Sequence, residues 1–239
     1  MVHEAIGHGL ASWLVGDRIL SISTVALQNA MPNRIVAACG TLANVIVGAL
    51  SLWILRRART FAPSACFMWL FGAFNLFNSG YLVASALLGN GDWAVVIDGF
   101  APPCLWRLAL GVAGAALYMV VMRSLARDML AFVESGEVAV RDVHALTLPA
   151  YIAGGALMTA ASVFNPIGPS LILTSGVGAS FGLNWGFLLL PGMIHSQARN
   201  RAPDGRGVSF SPLWAGLALL ASIAFIALLG PGIRFGPRR

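Results

Sequence analysis

The stretch IVAACGTLANVIVGALSLWIL, Ile35 to Leu55, carries no charged side chain and as an α-helix measures on the order of 30 Å, the thickness of a bilayer's hydrocarbon core. Working outward, apolar runs of comparable length recur at Phe61 to Leu88, Pro103 to Met122, Leu146 to Phe164, Ile167 to Ile194 and Pro212 to Leu229, with a shorter one at Gly9 to Val15. A 58% hydrophobic and 10% charged composition, with mean hydropathy +0.79, belongs to a polytopic membrane protein. Lipid offers backbone groups no other partner, so helices must dominate. The chain is therefore expected to be all-α: a helix bundle of six or seven transmembrane segments, forming a single integral membrane domain over residues 1–239.

Every cationic side chain is arginine. The clusters Arg56, Arg57, Arg59, then Arg123 and Arg127, then Arg199, Arg201 and Arg206 fall on alternate loops, which the positive-inside rule assigns to the cytoplasm. The net charge of +6 thus reflects membrane topology, and no basic, aromatic-interleaved strip points to nucleic acid. Arg234, Arg238 and Arg239 dissent, since seven crossings would put them outside; a re-entrant segment or a miscounted last helix would reconcile them. The polar stretch Arg123 to His144 carries Leu125, Met129, Phe132 and Val133 at helical spacing, so it reads equally as an interfacial amphipathic helix or a connecting loop. Cys39, Cys66 and Cys104 lie in or beside apolar runs without paired spacing, the pattern of buried thiols rather than disulfides or a thiolate metal site.

At the head of the first segment stands His3-Glu4-Ala5-Ile6-Gly7-His8. Ionisable groups in lipid are costly and are usually functional. Neutral imidazole binds zinc, and a neighbouring carboxylate can take a proton from water, so the trio reads as half of a metallohydrolase site. The familiar zinc-peptidase helix spaces its histidines four apart; here the interval is five. On a regular α-helix His3 and His8 would point roughly 140° apart, whereas Glu4 and His8 would share a face. A one-residue π-bulge across Ala5, Ile6 and Gly7 would instead return both histidines to one side, eased by Gly7. Both ligand sets stay open on spacing alone. Only Met1 and Val2 precede His3, so the first span is too short to cross a bilayer by itself and a truncated beginning is expected. With the arginine-based orientation, the motif lies roughly 13 to 20 Å below the outer end of that span.

Arg18 to Val25 partly alternates apolar and polar residues, the period of a β-strand, and predicts a short strand or hairpin after the first helix. With that element, residues 1–100 resemble the site-2 protease family of intramembrane zinc metalloproteases, in which a His-Glu motif on an early transmembrane helix precedes a small β element and further core helices. Residues 101–239 then supply additional helices. The family's third metal ligand comes from an asparagine-containing motif ending in Asp-Gly, whose opening Phe74-Asn75-Leu76-Phe77 resembles. No Asp-Gly follows at the usual distance; Asn78-Ser79-Gly80-Tyr81 stands there instead. Asp92, in Gly89-Asn90-Gly91-Asp92-Trp93, is the favoured third ligand, with Asp98, beside Gly99, and Asn78 as alternatives.

The resemblance implies Zn²⁺ held by His3, His8 and Asp92, with Glu4 as catalytic base in hydrolysis of membrane-protein or peptide substrates that pair with the Arg18 to Val25 edge. It also implies a multi-pass protein of a bacterial-type cytoplasmic membrane, with the lipid bilayer as its surroundings. Asn75 and Asn78 are expected level with the motif and facing it, while Asn184 and Trp185 are candidates to line the same cavity. His144, His195, Glu134 and Glu137 are expected in solvated loops. The rival is a non-catalytic membrane protein, a transporter or degenerate homologue, whose polar triad relays protons or holds structure.

Overall fold

The computed structural model describes residues 1–31, 33–198, 205, 207 and 211–236; Arg199, Arg201, Arg206, Arg238 and Arg239 lie outside them. Helix α1 is π-wound over Val2–Gly9 and α-helical over Leu10–Leu14. Strands β1 (Ile19–Ile22) and β2 (Leu27–Asn29) form an antiparallel hairpin. Helices α2 (Arg34–Leu55), α3 (Pro63–Phe77), α4 (Gly80–Leu88), α5 (Asp92–Ile97), α6 (Pro103–Glu134) and α7 (Asp142–Val163) follow. Helix α8 (Ile172–Ala198) is irregular, α9 spans Pro212–Leu229, and β3 is Ile233–Arg234. Among the described residues six segments are long and apolar enough to cross a membrane: α2, α3 with α4, α6, α7, α8 and α9. The protein is an all-α multi-pass bundle with one small sheet.

Sequence starts and stops these helices in recognisable ways. Asn33 Oδ1 accepts from the backbone N–H groups of Ile35 and Val36, capping α2. Pro63, Pro103 and Pro212 open α3, α6 and α9, where a missing N–H costs nothing. The stretch Arg123 to Glu134 is neither an interfacial helix nor a loop but the continuation of α6, whose 32 residues reach about 48 Å. The physical reason is packing. Its stripe Leu125, Met129, Phe132 and Val133 is buried in the main core with Leu52, Leu55, Trp69, Phe77, Phe187 and Ile194. Trp69 Nε1 donates to the Leu125 carbonyl at 3.2 Å, and the Phe187 ring lies 4.8 to 6.3 Å from those of Phe74, Phe77 and Trp69.

The sheet also places Arg234. β3 pairs antiparallel with β1, Ile22 opposite Ile233 and Ser21 opposite Arg234, giving the order β2-β1-β3. The end of α9 is thereby tied to the hairpin, at the Arg34 end of α2, opposite Arg56. Arg234 thus lies at the end of the bundle opposite Arg56 and departs from the arginine pattern. The same pairing corrects the expected substrate edge, because β1 has a neighbour on both sides and the outer edges belong to β2 and β3. Cys104 departs from expectation too: it is exposed at the start of α6, while Cys39 and Cys66 are half-buried, and all three are free thiols.

At the far end, Arg56 clasps Asp128 through two hydrogen bonds, Nε to Oδ1 at 2.9 Å and Nη2 to Oδ2 at 3.1 Å. Asp128 is only 7% exposed, so removing its partner strands a carboxylate in the core at a cost of about 2 kcal/mol. Arg56→Ala should lower the midpoint of thermal unfolding in detergent, followed by tryptophan fluorescence, by roughly 4–8 °C. Arg56→Lys, which keeps charge but loses the two-point geometry, should lower it less.

Candidate metal centre

The π-winding of Val2–Gly9 decides the site. In a π-helix the backbone repeats at i→i+5, so residues five apart lie on one face; the Leu10 N–H indeed bonds to the Ala5 carbonyl. His3 and His8 meet with ring centroids 4.6 Å apart at 89°. Helix α2 runs antiparallel beneath them, and its contact is close because two glycines face each other. A Cβ on Gly7 would stand 2.5 Å from the Gly40 Cα, and one on Gly40 would stand 2.6 Å from His8 Nε2 and 2.7 Å from His3 Cε1. The histidines therefore lie directly on the bare backbone of α2.

Each ring is oriented by its other nitrogen. His8 Nδ1 donates to the Val36 carbonyl at 2.7 Å, which leaves Nε2 as the free nitrogen. His3 Nδ1 donates to Asn78 Oδ1 at 3.1 Å, with Asn44 Nδ2 at 3.4 Å from the same nitrogen. Both Nε2 atoms face Asp92 Oδ2, at 2.9 Å from His3 and 3.4 Å from His8. Ligand atoms of His3, Glu4 and His8 all lie within 4.8 Å of one another. Tyr81 stacks on the His3 ring at 5.5 Å.

Asp92 reaches the histidines from outside the long helices. Gly89 (φ +68°) and Gly91 (φ +82°) turn the chain back with left-handed backbone that other residues rarely adopt, and Asp92 begins the short helix α5. Trp93 Nε1 donates to Thr41 Oγ1 at 3.0 Å. Arg34 donates through Nη2 to the Asp98 carbonyl, and its guanidinium lies 4.8 Å from the centre of the Phe100 ring.

The donor set suits a divalent cation. Two imidazoles whose Nδ1 atoms are used elsewhere present Nε2 lone pairs toward a carboxylate, and three acceptors converging on a point require positive charge between them, as protons or as metal. Donors around a tetrahedral zinc sit roughly 3.3 Å apart, close to the 2.9 and 3.4 Å separations here. Glu4 is buried, and its Oε2 has no hydrogen-bond partner. A buried carboxylate without a donor is expensive, so this oxygen belongs to something the site receives. Glu4, the histidines and Asp92 open into a cavity of about 970 Å³ lined by the β1–β2 turn, α4, α6 and the first half of α8.

Other expectations sort on geometry. Asp98 ends α5 exposed, its carbonyl rather than its carboxylate engaged. Asn75 neither bonds to the motif nor lines the cavity; its Nδ2 donates to the Phe71 carbonyl one turn back in α3 at 2.8 Å, whereas Asn78, at the C-terminal cap of α3, reaches His3. Trp185 lines the cavity, whereas Asn184 bonds to the Ser180 carbonyl. His144 and His195 are exposed but lie on α7 and α8 and not in loops, and Glu134 is the exposed last residue of α6; Glu137 is half-buried, accepting from the Phe61 N–H at 3.3 Å. Sequence reading missed Asn44, Thr41 and Tyr81. Asn44 lies four residues after Gly40, one helical turn deeper on the same face, and that spacing was its signal. Thr41 and Tyr81 had none beyond being polar in apolar runs.

Compared with protein-family models, curated proteins and solved structures, the chain matches none. The seat on Gly40 yields a direct test. Gly40→Ala puts a methyl group where both rings lie, so metal content of the purified protein, by mass spectrometry, should fall at least tenfold, while Ala49→Gly, at an exposed position farther along α2, leaves it unchanged.

Proposed function

We propose that the chain is a zinc-dependent intramembrane endopeptidase. The observation that carries this is the convergence of His3 Nε2, His8 Nε2 and Asp92 Oδ2 beside a buried, unpartnered Glu4 oxygen, at the wall of an apolar cavity. Two carboxylates facing two imidazoles whose Nδ1 atoms are already engaged form an acceptor-rich cluster, which a divalent cation satisfies in a medium where isolated charge is costly. Zinc held by His3, His8 and Asp92 supplies Lewis-acid activation of water and of a carbonyl group.

The chain's own residues do the rest. Glu4 Oε2, free of other bonds, accepts a proton from water and returns it to the leaving amine. Val36 and Asn78 hold the imidazoles with Nε2 toward the centre. The apolar lining from α4, α6 and α8 accepts an apolar peptide segment of a membrane protein, and the outer edge of β2, whose Leu27 lines the cavity, offers backbone groups to hold that segment extended. Arginines gathered at the Arg56 end orient that end to the cytoplasm of a bacterial-type membrane.

Detergent-purified protein should contain one zinc per chain. His8→Ala should lose zinc and cleavage of single-span membrane substrates in proteoliposomes together. Glu4→Gln should keep zinc and lose cleavage by a factor of about 10² to 10⁴. Loss of zinc in Glu4→Gln would make Glu4 a ligand instead of the base. Wild-type protein without zinc would overturn the peptidase and favour the non-catalytic reading of the triad.

A further inference from the structure

Asp92 sits on an element with little stability of its own. Helix α5 has six residues, none of them buried, and is flanked by Gly89, Gly91 and Gly99, all at positive φ. Helices this short are marginal without tertiary contacts. Trp93 and Ile97 pack against Leu82, Ala86 and Leu110, apolar contacts that place the strap but, being non-directional, do not by themselves forbid its sliding by a fraction of a turn. A carboxylate that must come within about 3 Å of two imidazoles does not tolerate such sliding.

Two polar clasps remove that freedom, and both come from α2. Arg34 holds the strap's far end through the Asp98 carbonyl. At its near end Trp93 Nε1 donates to Thr41 Oγ1. Arg34 and Thr41 are two turns apart on α2, so they address the strap from one face. The second clasp is placed with particular economy. Thr41 follows Gly40, the residue on which both histidine rings lie, and is only 1% exposed; Trp93 follows Asp92. One hydrogen bond thus sets the strap in register with the turn of α2 that seats the histidines.

We propose that Trp93 and Thr41 are positioning residues for the metal centre: their hydrogen bond holds the Asp92 carboxylate at His3 and His8 and so sets zinc affinity. The inference rests on the zinc reading of the same site. Thr41 does not touch the ligand atoms; it acts through Trp93 and the strap, as partners that orient ligands do.

Zinc affinity, measured by chelator competition in detergent-purified full-length protein, distinguishes this from packing. Thr41→Val keeps the shape and removes the acceptor, and Thr41→Ser keeps the oxygen and loses a methyl. Thr41→Val and Trp93→Phe should each weaken zinc binding 10- to 100-fold, and Thr41→Ser should stay within about threefold of wild type. In an Asp92→Ala background, Thr41→Val should have no further effect. Cobalt-substituted Thr41→Val should show the visible absorption spectrum of Asp92→Ala, not that of wild type. Unchanged affinity in Thr41→Val, equal losses in Thr41→Ser and Thr41→Val, or a further loss on top of Asp92→Ala would each overturn the proposal while leaving the zinc site standing. Should Thr41→Val fail to fold, Trp93→Phe, at the other end of the same bond, decides. Wild-type protein that binds no zinc would overturn the zinc reading and this inference together.

Discussion

The five-residue interval between His3 and His8 is the constraint on which the site depends. An α-helix cannot close that interval on one ion, and a π-helix can. The winding that does so is strained relative to an α-helix and persists only where packing holds it, which explains why Gly7 and Gly40 meet there. With no side chain on either, α1 approaches α2 until the imidazoles lie on its backbone. The Val36 carbonyl and the Asn78 amide then fix both rings. Helix-to-helix contact, backbone winding and ligand orientation are consequences of one close approach.

Breaks in the other helices serve the same region. The third span divides at Asn78 and Ser79, which frees Asn78 to meet His3. Helix α8 is π-wound over Ile172–Ala179 and tightens to a 3₁₀ turn at Leu183–Trp185, where Tyr118 Oη donates to the Leu183 carbonyl at 2.8 Å and accepts from the Gly186 N–H at 3.0 Å. Irregular backbone at membrane depth survives only where protein or a cavity satisfies it, and here both do.

Much of this was legible in residue order. Apolar runs and their arginine punctuation located the six long spans, and alternation in Arg18 to Val25 located the hairpin, because both signals are local and periodic. The offset of His8 by one position left two ligand sets open, one of them through a one-residue π-bulge, and the structure winds the whole of Val2–Gly9 as a π-helix. What escaped was non-local. The spacing of Leu125, Met129, Phe132 and Val133 signalled a helix, but that it continues α6 past Met122 depends on the stripe meeting α3 and α8, partners remote in sequence. Docking of β3 on β1 joins residues more than two hundred positions apart, so the place of Arg234 was hidden. Asn75 and Asn78, equal by composition, were separated only by the exact point at which a helix breaks.

Rigidity and irregularity are segregated along the bundle. At the Arg56 end, Trp69, Phe77, Phe187 and the stripe of α6 form a close-packed aromatic and aliphatic core, pinned by the Arg56–Asp128 pair. At the Arg34 end, the polar cluster is assembled from a π-wound helix, a hairpin and a glycine-flanked strap. Polar side chains in lipid find partners only within the protein, so a site rich in them must be built from elements able to bend toward one another. Such elements bring few buried contacts of their own. The half that holds His3, His8, Glu4 and Asp92 therefore keeps its geometry by directional hydrogen bonds, to Val36 and Thr41 on α2 and to Asn78 at the break after α3.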